Sequence, residues 1–222
     1  RSGVNPSTGS GFAAAKYVNS PETPIFNKSK LLYGYWASKN FIREAKSVFL
    51  VEGQMDFLMS WQAGVKHAVA TSGTALTPDH LRVLRRLTDE LVLSFDTDEA
   101  GWQAGERAID LAEANDFSVK VVMFEKFKDP AEAAENDPEN LKKAITHAEP
   151  AMQFYFKKYL PQGAIGGDKR EEIRSLRAVL GKIKNITSPV EQNFWLKKLA
   201  THTRLNERVL GEEAEKLKAH QS

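Results

Sequence analysis

From Lys46 to Phe124 short apolar runs alternate with longer amphipathic ones, and this alternation limits the fold more than any other feature of the chain. "SVFLV", "KHAVAT", "ELVLSFD" and "SVKVVMF" read as strands, being short and rich in Val, Leu and Phe. Between them "MDFLMSWQAG", "TPDHLRVLRRL" and "EAGWQAGERAIDLAEAND" read as helices. The first closes at Gly64, and the second opens on Thr77 as N-cap with Pro78 at its first position. Strands separated by helices of about ten residues pair in parallel, and their near-continuous apolar character requires cover on both faces. The expected fold class is therefore α/β: a mainly parallel sheet with flanking helices and right-handed crossovers.

After Asp129 no comparable strand is expected. "DPAEAAEN", "PENLKKAITHAE", "PAMQFYFKKYL", "DKREEIRSLRAVLGKIKNI", "PVEQNFWLKKLATHT" and "NERVLGEEAEKLKAH" read as helices divided by Pro, Gly or polar turns. The change of pattern near Ala148 places a small helical domain over residues 148–222, after an α/β domain over 46–147. In that helical domain Phe154, Phe156, Tyr159, Phe194, Trp195 and Leu196 are expected in the core, because aromatics have large areas to bury. Residues 16–45 form a preceding segment, with a helix expected from Leu31 to Arg43. Residues 1–15, rich in Gly, Ser and Ala, read as a mobile lead-in or an artificial boundary.

Ligands of open parallel sheets bind beyond the carboxyl ends of the strands. Glu52 follows the first strand, Asp96 ends the third and Asp129 lies beyond the fourth, so carboxylates far apart in sequence can converge on one rim. Asp96 and Asp98, in "LSFDTDEAG", either hold a cation or cap the helix beginning near Glu99. Asp56 either faces the same rim as Glu52 or caps its own helix, and Asp129, just before Pro130, is equally a candidate N-cap. Taken together, Glu52, Asp56, Asp96, Asp98 and Asp129 form a candidate metal set. Its oxygen donors suit Mg²⁺ or Mn²⁺. The chain has no Cys, so zinc is not expected.

A second candidate is the loop "TSGTALTPDH", where Ser72, Gly73, Thr74 and the following helix start can meet phosphate oxygens. No complete phosphate-binding G-x-x-x-x-G-K-[ST] motif occurs, and the five His show no zinc spacing. A formal charge of +2 is too balanced to argue for nucleic acid by itself. No apolar run is long enough for a membrane span, so no membrane partner is expected.

"VEGQMD", "ATSGTALT", "SFDTDEAG" and "KDPAE", in that order, closely resemble the Toprim region of bacterial replicative DNA primase (DnaG-type). "KYVNSPETPIFNKSKLLYG" resembles the segment that precedes Toprim in that family. The resemblance covers about residues 16–210 and departs at Gln54, commonly aromatic, and at Asn27, often His. It implies a Toprim-like fold and the synthesis of short RNA primers on a single-stranded DNA template from nucleoside triphosphates, with divalent metals. Carried over residue by residue, Glu52, Asp96 and Asp98 become catalytic, with Asp56 and Asp129 in the metal set. Lys16, Tyr17, Asn19 and Lys28 become contacts for template, RNA primer or triphosphate.

The family's zinc-binding and basic regions have no counterpart upstream of Lys16. The chain therefore reads as a truncated part of a primase core, with the replicative helicase met only through a C-terminal domain absent here. The implied location is cytoplasmic, at the bacterial nucleoid or replication fork. The alternatives are a Toprim phosphodiester hydrolase and a catalytically incomplete fragment that binds metal or nucleotide.

Overall fold

The computed structural model describes Thr23 and residues 27–95, 99–124, 126–161 and 169–217. Their elements run α1 (Tyr35–Ala45), β1 (Val48–Val51), α2 (Gln54–Gln62), β2 (Ala68–Ala70), α3 (Pro78–Leu84), β3 (Glu90–Ser94), α4 (Glu99–Glu113), β4 (Ser118–Val122), α5 (Pro130–Asn136), α6 (Pro138–Thr146), β5 (Glu149–Pro150), α7 (Ala151–Tyr159), α8 (Lys169–Lys184), α9 (Pro189–Thr203) and α10 (Glu207–Lys216).

The apolar runs pair into one sheet of order β2-β1-β3-β4-β5. The first four strands are parallel, as their separation by helices requires. All four residues of β1 are buried, the mark of a strand covered on both sides. Val48 and Leu50 point into one apolar cluster, Phe49 and Val51 into another. Chain direction decides which helix covers which face. From β1 the chain steps one way to β2, then back across to β3 and onward to β4, so a single crossover handedness puts α2 opposite α3 and α4. Phe57 of α2 accordingly joins Phe49 and Val51, while Leu81 of α3 and Ile109 of α4 join Val48 and Leu50.

Three expectations change. A fifth strand exists: Glu149 and Pro150 pair antiparallel with Val121 and Lys120. Two residues, one of them proline, carry no strand pattern of their own; the open edge of β4 selects them, and an edge tolerates a missing N–H. Second, α1 begins at Tyr35, not Leu31. Tyr33 instead bridges to Ala70, with its N–H donating at 2.8 Å and its carbonyl accepting at 3.0 Å, which covers the outer edge of β2. Gly34, at φ +80°, then turns the chain into the helix. Third, Phe194 is half exposed whereas Phe154, Phe156 and Trp195 are buried and Tyr159 and Leu196 partly so. Successive residues lie about 100° apart around a helix, so "FWL" cannot turn all its side chains to one side.

The first apolar cluster continues from the sheet through Tyr155 of α7 and Leu180 of α8 to Leu199 of α9 and Leu210 of α10. No described helix is long and apolar enough to cross a membrane.

Candidate active site

The order β2-β1-β3 makes the gap between β1 and β3 the point where the chain reverses its direction across the sheet, and the helices leaving it diverge to opposite faces. Leu50 of β1 lies opposite Leu93 of β3, so the two strands end level. Glu52 leaves one of them, exposed to solvent. The other leads through Phe95 to Asp96 and Asp98, which lie outside the described residues, as do Lys16, Tyr17 and Asn19.

Asp56 sits in the first turn of α2. Its Oδ2 accepts the Gly53 N–H at 3.0 Å, and its Oδ1 accepts the Ala131 N–H of α5 at 3.3 Å. A side chain at position 53 would put a Cβ 2.8 Å from Asp56 Oδ2, so the glycine makes room for the carboxylate. Asp129 is the N-cap of α5, accepting the Glu132 N–H at 2.8 Å, and Glu132 Oε2 accepts in return from Lys128 N–H at 2.6 Å. Two helix starts, each with its partial positive charge, thus meet where Asp56 and Asp129 stand.

The loop after β2 is tied to the end of β1. Thr71 N–H donates to the Val51 carbonyl at 3.2 Å, and Gly73 N–H to the Glu52 carbonyl at 3.4 Å. The Thr74 hydroxyl donates to the Thr71 carbonyl at 2.9 Å. Ser72 takes a left-handed backbone at φ 59°, and its Oγ is buried with no hydrogen-bond partner. Thr77 caps α3 by accepting the His80 N–H at 3.1 Å, and its hydroxyl donates to the Ser29 carbonyl at 2.6 Å. The His80 ring reaches the Lys28 carbonyl at 3.0 Å, and burial pushes its pKa down. Lys28 is thereby held over the loop and lines a cavity of about 430 Å³ with Thr71 and Ser72.

Of the candidates drawn from sequence, Glu52, Asp56 and Asp129 are thus placed about one corner, while Lys28 and Ser72 share one cavity. Among the described residues no group of three or more His, Asp or Glu is placed to hold a metal ion.

Known proteins share this fold. Residues 49–134 match the family model described as Toprim-like, and residues 8–39 match that of the DNA primase catalytic core, N-terminal domain. The chain carries the Toprim and adjoining parts of a DnaG-type primase catalytic core. It is 37% identical over 182 residues to the DNA primase of Helicobacter pylori (strain ATCC 700392 / 26695), an alignment covering 82% of this chain and 32% of that one. A DNA primase domain from Pseudomonas aeruginosa superposes with TM-score 0.71 at 28% identity, over 92% of this chain and 65% of that one. A DnaG primase catalytic domain bound to single-stranded DNA superposes with TM-score 0.69 at 27% identity, over 86% of this chain and 63% of that one. The chain spans about a third of the length of the curated primases it matches.

Sequence reasoning missed the polar network that joins this primase-type sheet to the terminal helices. Glu106 of α4 pairs with Lys158 of α7 and, at 3.0 Å, with Lys182 of α8. Tyr159 Oη donates to Glu106 at 2.8 Å, and Tyr155 Oη donates to Asp110 at 2.8 Å. Burial opposes the ionisation of Glu106, but hydrogen bonds from Lys158, Lys182 and Tyr159 outweigh it and hold the carboxyl down at about 2. Glu106 and Asp110 are four apart on one helix face, yet their partners lie some fifty to seventy residues away, which no local pattern reveals.

Proposed function

We propose that this chain performs metal-dependent nucleotidyl transfer, extending RNA on a single-stranded DNA template as part of a primase core. The observation that carries the reading is the level ending of β1 and β3 at the reversal point, with Glu52 following one strand and "DTD" following the other. Binding of single-stranded DNA by a structural neighbour that superposes over most of the chain supports the choice of template.

The donors are all carboxylate oxygens and the chain lacks Cys, so hard divalent cations fit and a thiolate zinc site does not. Glu52, Asp96 and Asp98 are the residues to hold Mg²⁺ or Mn²⁺. Such an ion, when bound, neutralises phosphate charge and favours attack of a primer 3′-hydroxyl on the α-phosphorus with loss of pyrophosphate. Asp56 and Asp129 spend oxygens on backbone N–H groups, so their part is to fix the corner at which α2 and α5 begin. Lys28 meets phosphate charge from the side of the loop. Template pairing selects the nucleotide, while the protein holds geometry.

The test is Mn²⁺-dependent binding of a labelled nucleoside triphosphate, followed by product analysis. Binding lost in Asp96→Asn and Asp98→Asn, with pyrophosphate and lengthened RNA as products, supports the reading. Unchanged binding in both variants, or a cut strand without incorporation, would contradict it, the latter in favour of a hydrolase.

A further inference from the structure

Beside the candidate active site lies a cavity whose aromatic wall is not explained by triphosphate or metal. Its lining includes Lys28, Leu31, Tyr33, Trp36, Thr71 and Ser72, and its volume is about 430 Å³. Trp36, in the first turn of α1, is 78% exposed, an unusual state for a side chain with so much apolar area. Lys39 Nζ stands 3.2 Å from the centre of its ring. The scaffold beneath is rigid. Tyr33 is bridged to Ala70, and its ring meets Phe57 edge-on at 5.2 Å. Ser38 Oγ donates to the Ala68 carbonyl at 2.6 Å, fastening α1 to β2. Thr71 and Ser72 come from the loop tied to the Glu52 carbonyl, so the cavity adjoins the corner where the carboxylates stand.

An exposed ring on a helix fastened to the sheet, with one ammonium over a face of the ring and further cations along the same segment, is an arrangement that receives unpaired bases: the ring stacks on a base and the cations meet the backbone. The charge of the surrounding chain has the matching sign. From Asn27 to Lys46 there are Lys28, Lys30, Lys39, Arg43 and Lys46 against one carboxylate, Glu44. These cations are spread along a turn and a three-turn helix, a longer track than the phosphates of one nucleotide need, which favours a strand over a free nucleoside triphosphate.

We infer that Trp36 is a stacking platform for an unpaired base of a single-stranded nucleic acid running past the carboxylate corner. The inference rests on the proposed function for the direction of the strand, but its test does not require catalysis. Ser72 bears on it independently, since a left-handed backbone and a buried hydroxyl without a partner are features that persist where they serve a site.

The experiment measures binding of a labelled oligothymidylate and of an abasic strand of equal length, without divalent metal, by the whole chain and by Trp36→Ala, Trp36→Phe and Lys39→Gln. Trp36→Ala is expected to weaken the base-bearing strand by about ten-fold and to leave the abasic strand unchanged. Trp36→Phe keeps most of the affinity, and Lys39→Gln weakens both strands alike and lowers the salt dependence. Equal binding of wild type and Trp36→Ala to both strands would overturn the inference. So would an equal loss on both, which would mean that the ring supports the fold, or a loss confined to free nucleoside triphosphate. If stacking is found but Asp96→Asn leaves nucleotide binding untouched, the platform stands and the catalytic reading fails.

Discussion

Asp56 accepts the backbone N–H of Ala131 across 75 positions of sequence while also accepting that of Gly53, so one carboxylate joins the starts of α2 and α5. Asp56→Ala leaves the Gly53 and Ala131 N–H groups without their acceptor, while Asp129 still caps α5. We expect it to cost about 1–2 kcal/mol, read as a lower urea midpoint at unchanged slope. Glu52→Gln, at an exposed position, is expected to cost less. Equal losses in the two variants would contradict the division between a carboxylate that builds the corner and one that works in it.

Gly34 tests the route by which the preceding segment enters the sheet. A Cβ there would stand 2.1 Å from the Phe57 ring, and the backbone is left-handed at φ +80°. Gly34→Ala therefore meets both a steric clash and backbone strain, and destabilises by about 2–4 kcal/mol. A thermal melt within a degree of wild type would show that Phe57 swings away at little cost.

Thr77 serves two elements, capping α3 and donating to the Ser29 carbonyl. Thr77→Ala is expected to cost about 1–2 kcal/mol, while Thr77→Ser keeps both bonds. Amide exchange should quicken in the turn around Lys28 as well as at His80. Faster exchange at His80 alone would show that the loop is held by something else.

The Glu106 network gives a pH dependence of definite sign. Its carboxyl is held at about 2 in place of 4.5, so the fold favours the ionised form. That stabilisation is complete above about pH 4.5 and is lost as the pH falls toward 2. The side chain remains 19% exposed, which screens the pairing, and Glu106→Gln is expected to cost about 1–3 kcal/mol at pH 7. Urea melts at pH 7 and pH 3 should show the gap between wild type and variant narrowing in acid. A constant gap would place the acid response elsewhere.

Much of this fold is legible in sequence because the sheet is written in local patterns. The runs around Val48, Ala68, Leu91 and Val119 are short and apolar, Thr77 and Pro78 announce a helix start, and helices between strands imply parallel pairing. What escapes has its cause far along the chain. Tyr33 leaves the helix because Ala70 offers it an edge, and Pro150 becomes strand because β4 has an open side; Phe194 is the local exception, facing solvent because Trp195 beside it has taken the buried direction. The site divides in the same way. Glu52 is legible as a charge at a strand end, and Asp129 as a cap before proline. The reach of Asp56 to Ala131 and the joining of Glu106 to Lys158 and Lys182 exist only once the chain has folded.

The central claim is that nucleotidyl transfer occurs where β1 and β3 end together. The most direct measurement is incorporation of labelled ribonucleotides on pre-primed and unprimed single-stranded DNA, with Mg²⁺ and separately Mn²⁺, by wild type, Glu52→Gln and Asp96→Asn. Metal-dependent extension on the primed template, lost by at least about a hundred-fold in both variants, is the predicted result. Folded wild-type protein that extends neither template, or variants that extend as well as wild type, would contradict it.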